Sequence, residues 1–256
     1  MPSKIEAGVS RWMILVPGAI FVALWQGIAT AFPSTLFFFS SPEHIGAALW
    51  DVTKSGDIVI HAAITLFEAL AGLVIGMLVG TSVGLALWYW PKAGWIGGPY
   101  IAAISTVPPF ALAPLVIVWF GIGIFAKVMV AALATVFVGV VQTYAGARSV
   151  DERHLRLVRL LGASRRQEFS KVVVPSTAHW LLNSLRLNVG FALTGAFIGE
   201  FISAERGLGY FIVRSAALYD MSRVLAGCLV LMIVGVGLNA IVNALERKLV
   251  HRRRPV

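Results

Sequence analysis

RLVRLLGASRRQEFSKVVVP, residues 156–175, interrupts a chain that is otherwise almost continuously apolar. Its pattern reads as helix–turn–helix. Asp151 is placed to cap a helix that starts near Glu152 and runs to Leu161. Along that helix Leu155, Val158 and Leu161 form an apolar stripe, and Arg153, Arg156 and Arg159 a basic one, both at i,i+3 spacing. Gly162 suits the stop, where a left-handed residue commonly sits. Ser164 followed by Gln167 fits a capping box, so a second helix begins there. Pro175 is expected to end it, because residues before a proline resist helical geometry. The unit is too polar to enter lipid, and its apolar stripe is expected to dock against protein. A loop that merely fixes topology would explain the arginines but not the caps, Gly162 or the stripe.

Outside this segment the composition is that of a polytopic membrane protein. Of 256 residues, 58% are hydrophobic and 13% charged, about half the charged fraction of a soluble domain. Six apolar spans are expected, at about residues 12–32, 58–90, 99–120, 127–147, 177–202 and 223–245. A short surface helix is expected near 45–52 and a turn over 91–98. The first run is long for a signal-peptide core, so it is read as a span. With the basic segment in the cytoplasm, sixteen of the 21 Lys and Arg residues share its side, and both termini fall there too. On that count Lys127 is external. The net charge of +9 therefore reflects topology rather than nucleic-acid binding, which a helix–turn–helix tethered by spans at both flanks does not suit. The single cysteine, Cys228, permits no internal disulfide.

Within the spans, Gly72, Gly76, Gly80 and Gly84 recur every four residues, a pattern that lets another helix approach one face. VPPFALAPLVIVWFGIG (residues 107–123) carries Pro108, Pro109 and Pro114 and must be bent or broken. Such a helix is tolerated where it is buried or lines a cavity. Glu68 and Glu200 are intramembrane charges, which usually face a bundle interior. With Pro108, Pro109, Trp119 and Thr194 they are the candidates for a substrate path. ERGLGYFI (residues 205–212) has the glycines of a tight loop re-entering toward the membrane. Asn239 and Asn243 are placed to bridge helices. His61, His154 and His179 are scattered and read as surface or interfacial. There is no phosphate-binding P-loop, no catalytic constellation and no Cys/His metal cluster, so the chain is not expected to be an enzyme or to bind a metal.

Taken in order, LLGASRRQEFSKVVVPS, TLFEALAGLVIGMLVG, the proline-rich span, TYAGARSVD, NSLRLNVGFALTGAFIGEFISAERGLGY and LERKLV resemble the permease subunit of binding-protein-dependent ABC importers. The resemblance runs from about His61 to Leu249 and is nearest to permeases of the sulfonate, taurine and nitrate group. It implies an all-α membrane protein of six transmembrane helices with the type I ABC importer permease fold. Residues 1–57 would then form a first span and an external polar segment. Residues 58–250 would be the permease core with a cytoplasmic coupling loop over 148–176, and residues 251–256 a basic cytoplasmic tail. The implied partners are two ATPase subunits, a periplasmic or tethered solute-binding protein, membrane lipid and a second copy of the permease. ATP and Mg would bind the partner ATPases, and this chain would hold no cofactor. The family's EAA motif, a glycine followed by a proline thirteen residues on, falls here on Gly162 and Pro175. It implies ATPase coupling through Leu160, Leu161, Gly162, Ala163, Ser164, Arg165, Arg166 and Pro175.

Two positions depart from the family pattern. Arg156, Leu157 and Val158 stand where Glu-Ala-Ala is usual. The sulfonate group often has Arg near the position of Glu68, and a carboxylate opposes an anionic substrate that an Arg would help. Permeases for pyrimidine precursors or riboflavin carry a similar Glu-Ala-Leu stretch. A different class, an autonomous secondary transporter or channel, would rest on Glu68, Glu200 and the broken third span.

Overall fold

The computed structural model describes residues 11–104, 106–203 and 205–251, and among these it contains helices and no strand. Contacts divide the chain into two units, one of residues 1–59 and 211–230, the other of residues 60–210 and 231–256. Most of the expected tail at 251–256 lies outside the described residues.

The first unit opens with α1 (Arg11–Ala31) and the short α2 (Leu36–Phe39). The stretch Val16–Ala31 and the following Pro33–Phe39 are bent by 111°. Pro33 sits at the start of a 3-10 turn, where its missing N–H costs nothing. Ser41 then caps α3 (Pro42–Lys54) by accepting from the His44 N–H at 3.2 Å, with Pro42 at the first helical position. The helix foreseen at 45–52 is thus longer at both ends. Ser40 and Ser222 share a hydrogen bond at 2.8 Å, and Phe37 stacks on Tyr219.

The second unit takes most of α4 (Asp57–Tyr89), then α5 (Pro91–Ile104), α6 (Ala113–Phe120), α7 (Ile124–Arg148), α8 (Glu152–Leu160), α9 (Arg165–Glu168), α10 (Val174–Ser203), and parts of α11 (Leu208–Ala217) and α12 (Met221–His251). Four continuous helices are long and apolar enough to cross a membrane, namely α4, α7, Arg165–Ser203 and Met221–Ala244. The bent first pair makes a fifth if counted as one span. The third expected span is α5, a 3-10 turn at Pro109–Leu112 and α6. The turn expected at 91–98 is helix instead. The prolines explain this division, since Pro91 opens α5, Pro109 opens the 3-10 turn and Pro114 is the second residue of α6. Each is at a helix start, where a missing donor is tolerated.

Pro175 does not end its helix. The backbone runs from α9 through a π turn (Phe169–Val173) into α10, and Pro175 is the second residue of α10. A proline ring clashes with the carbonyl four residues earlier. The wider π turn before it relieves that clash, so the helix continues.

Small residues set the packing of the second unit. A Cβ on Gly72 would meet Ala131 and Ala132, one on Gly80 would meet the Val136 carbonyl oxygen at 2.8 Å, and one on Gly84 the Thr143 Cβ at 2.7 Å. Along this glycine face α4 lies against α7. From the other side, a Cβ on Gly195 of α10 would stand 2.7 Å from the Ala131 Cα. The core where these helices meet is Ala69, Leu73, Ala131, Val189, Ala192 and Ala196, closed by Leu238 and Val242. Apolar side chains on the outer faces, such as Leu78 and Val118, are exposed, as lipid-facing positions are.

Candidate functional site

The segment at 148–176 folds as two capped helices held against the spans. Asp151 accepts from the Arg153 N–H at 2.8 Å and starts α8. Gly162 takes φ +81°. Around it the Ala163 N–H donates to the Val158 carbonyl and the Gly162 N–H to the Arg159 carbonyl, at 3.0 and 2.9 Å. That is the pair of bonds of a Schellman stop. Ser164 and Gln167 then form a full capping box, with the Gln167 side chain accepting from the Ser164 N–H at 2.8 Å.

Two arginines brace this pair. Arg159 reaches from α8 to Glu168 of α9 with two hydrogen bonds, 2.8 and 3.1 Å, and the Glu168 side chain is 6% exposed. A bidentate guanidinium–carboxylate contact of this kind is among the stronger polar contacts and fixes orientation. Arg165 donates to the Tyr89 and Trp88 carbonyls at 3.1 to 3.3 Å and lies over the Trp88 ring at 5.1 Å. It therefore satisfies carbonyls at the C-terminal end of α4, where a cation is favoured. Ala147, Leu155 and Val173 close a small core beneath the pair. Of the expected apolar stripe, Leu155 is buried and Val158 half-buried, whereas Leu161 points outward with Leu160, 78% and 86% exposed. Arg156 pairs with Glu152 at 2.9 Å, both exposed, a contact worth a few tenths of a kcal/mol.

A second polar cluster is buried among α4, α7 and α10. Lys127 of α7 pairs with Glu68 of α4 at 2.7 Å, with side chains 5% and 0% exposed. The Glu200 carboxyl of α10 is buried beside this pair. It accepts from the Thr65 hydroxyl and the Gly209 N–H, each at 2.6 Å. The Leu208 N–H donates to Thr65 Oγ1 at 2.8 Å, and the Gly207 N–H to His61 Nδ1 at 2.9 Å. Side chains from α4 and α10 thus satisfy the first backbone donors of α11. Gly207, at φ +119°, and Gly209 let the backbone lie on Glu200, because a Cβ at either position would press into its carboxyl group. His61 is a partner of this loop rather than a surface residue.

Residues 72–251 match the family described as "Binding-protein-dependent transport system inner membrane component". The chain belongs to this family. Among relatives of the permease, the formylaminopyrimidine transport permease protein of Halalkalibacterium halodurans is 31% identical, over 91% of this chain and 92% of its own length. The taurine transport system permease protein of Escherichia coli (strain K12) is 29% identical, over 94% of this chain and 90% of its own. The inward-facing MetNI methionine ABC transporter superposes with a TM-score of 0.61 at 16% identity, covering 75% of this chain and 97% of that one. This likeness assigns the permease the fold of type I ABC importer subunits. The permease is an inner-membrane transport component for a small solute, not an enzyme.

Glu68 and Glu200 are brought together but sealed, 0% and 1% exposed. Pro108 and Pro109 lie at the break before α6, Trp119 is exposed on α6, and Thr194 is exposed on α10 with its hydroxyl on the Gly190 carbonyl. Glu68 is paired with Lys127 rather than free. Lys127, counted outside by topology, is itself buried. The Arg159–Glu168 brace and the Lys127–Glu68 pair join positions 9 and 59 residues apart, separations at which no periodicity marks a pair.

Proposed function

We propose that this permease forms the membrane pathway of an ABC importer driven by two ATPase subunits. The observation that carries the reading is the outward apolar tip, Leu160 and Leu161, beside Gly162 on two capped and braced helices. A solvated loop has no use for such a tip. Each ATPase would take the turn over residues 160–166 in a surface groove, hold ATP with Mg itself, and on closing would push the coupling elements of two permease copies together. The spans would then exchange outward and inward access, which requires binding energies that differ between the two states. A solute-binding protein would deliver cargo on the opposite face near residues 205–212, with both permease termini cytoplasmic and the outer helix faces in lipid. The cargo would be a small solute, either an anion of the sulfonate, taurine or nitrate kind or a pyrimidine or vitamin precursor. Sequence likeness to transporters of both kinds supports that range.

Reconstitution tests this directly. In liposomes carrying the permease and its ATPase, with binding protein outside and ATP inside, radiolabelled solute accumulates; omission of any component abolishes uptake. Uptake by the permease alone under an ion gradient overturns the reading in favour of a secondary transporter. Gly162→Val forces a β-branched residue to φ +81°, which costs about 1–3 kcal/mol of strain. ATP-driven uptake should fall at least about tenfold, while the amount of permease in the membrane is unchanged.

A further inference from the structure

We propose that the ATPase places an acidic side chain in a pocket of the coupling element, where Lys171 receives the carboxylate. This rests on the reading of the element as the ATPase dock. The pocket, about 250 Å³, lies beside the apolar tip and is lined by Val158, Leu161, Gly162, Ala163, Gln167 and Lys171. Val158 and Leu161 offer an apolar wall for a side-chain stem, and Lys171 and Gln167 offer polar groups for its tip. A Cβ at Gly162 would meet nothing within 4 Å, so the pocket is open on that side. Lys171 sits within the π turn, an irregularity frequent at functional positions.

Charge on the element points the same way. Residues 148–176 carry seven Lys and Arg side chains against three acidic ones. All three acids are engaged: Asp151 caps α8, Glu152 pairs with Arg156 and Glu168 with Arg159. Arg165 is engaged by the carbonyls of α4. Lys171 is exposed and makes no ion pair or side-chain hydrogen bond among the described residues. The lysine is therefore available to a carboxylate supplied from outside the chain. The exposed Leu160 and Leu161 on the same element favour a protein groove over a lipid surface, because such a groove buries both the leucines and the carboxylate stem.

The test measures the affinity of the detergent-purified permease for its cognate ATPase at low and high salt, with Lys171→Glu, Lys171→Gln and Leu161→Asp. Size-exclusion profiles check the fold, which substitution of an exposed side chain leaves intact. Lys171→Glu should weaken binding about tenfold or more at low salt, with the loss shrinking at high salt as charges are screened. Lys171→Gln should fall between, and one Asp→Lys or Glu→Lys change in the ATPase groove should recover Lys171→Glu. Leu161→Asp should lose binding at both salts. If Leu161→Asp abolishes binding and Lys171→Glu keeps wild-type affinity, the dock stands and the acidic contact is wrong. If Leu161→Asp binds normally, the dock itself fails. If Lys171→Glu lowers only association with phosphatidylglycerol vesicles and leaves ATPase affinity intact, the lysine serves lipid and the proposal is overturned.

Discussion

Replacing Lys127 with Met should destabilise the permease by about 3–5 kcal/mol, the penalty for leaving one partner of a buried ion pair uncompensated. Glu68 would then hold a carboxylate with no cation, next to Glu200, at a site where both side chains are essentially without solvent. The surroundings are closely packed, because Gly72 and Gly199 bring α4 and α10 against α7 on either side. A Cβ at Gly199 would already stand 3.1 Å from the Lys127 Cα. In thermal denaturation followed by fluorescence-detected chromatography, the midpoint should fall by roughly 10 °C. The double variant Glu68→Met with Lys127→Met should regain most of that loss, since an apolar pair of similar volume is often as stable as the ions it replaces. A Lys127→Met protein as stable as the parent would show that the pair contributes nothing.

Gly76→Leu is expected to be more damaging still. A Cβ at Gly76 would fall on the Thr135 hydroxyl and stand 2.6 Å from the Ala132 carbonyl oxygen. Backbone cannot be displaced cheaply here, because on the next turn a Cβ at Gly80 would stand 3.0 Å from the Gly139 Cα, so the two backbones already lie close. The helices α4 and α7 would have to separate along their whole contact. Overpacking costs about 1–3 kcal/mol where side chains can yield, and more where they cannot. The expected result is loss of the monodisperse species on extraction. Gly98→Leu, where a Cβ meets nothing within 4 Å, should extract normally. Normal extraction of Gly76→Leu would mean that the glycine face is not a helix contact.

The helix pair at 148–176 was readable because its signals are local. A cap, a Schellman glycine and a capping box each act within about five residues, so Asp151, Gly162, Ser164 and Gln167 declare themselves in order along the chain. Pro175 misled for a related reason. Its local rule is to break helices, yet a π turn five residues long absorbs the clash. In the third span the number of prolines correctly announced a break. Their individual positions at helix starts depended on where α5 and α6 begin.

The four glycines of α4 could be read as a face but not assigned a partner, since period-four spacing describes one helix and says nothing about which helix approaches. The two glutamates are costly in lipid, and the sequence alone does not say which groups meet that cost. The structure answers the cost: Glu68 meets Lys127, and Glu200 meets Thr65 and the start of α11. Local chemistry, through hydropathy, caps and backbone preference, was enough to determine an all-helical membrane chain, a capped helix pair and the class of importer permease. Only the packed structure decided which charges are engaged inside and which face outward. Ion pairs between distant helices depend on the register at which those helices touch, and that register is set by the close approach of α4 and α10 to α7. It set Glu68 against Lys127 and left Lys171, Leu160 and Leu161 exposed.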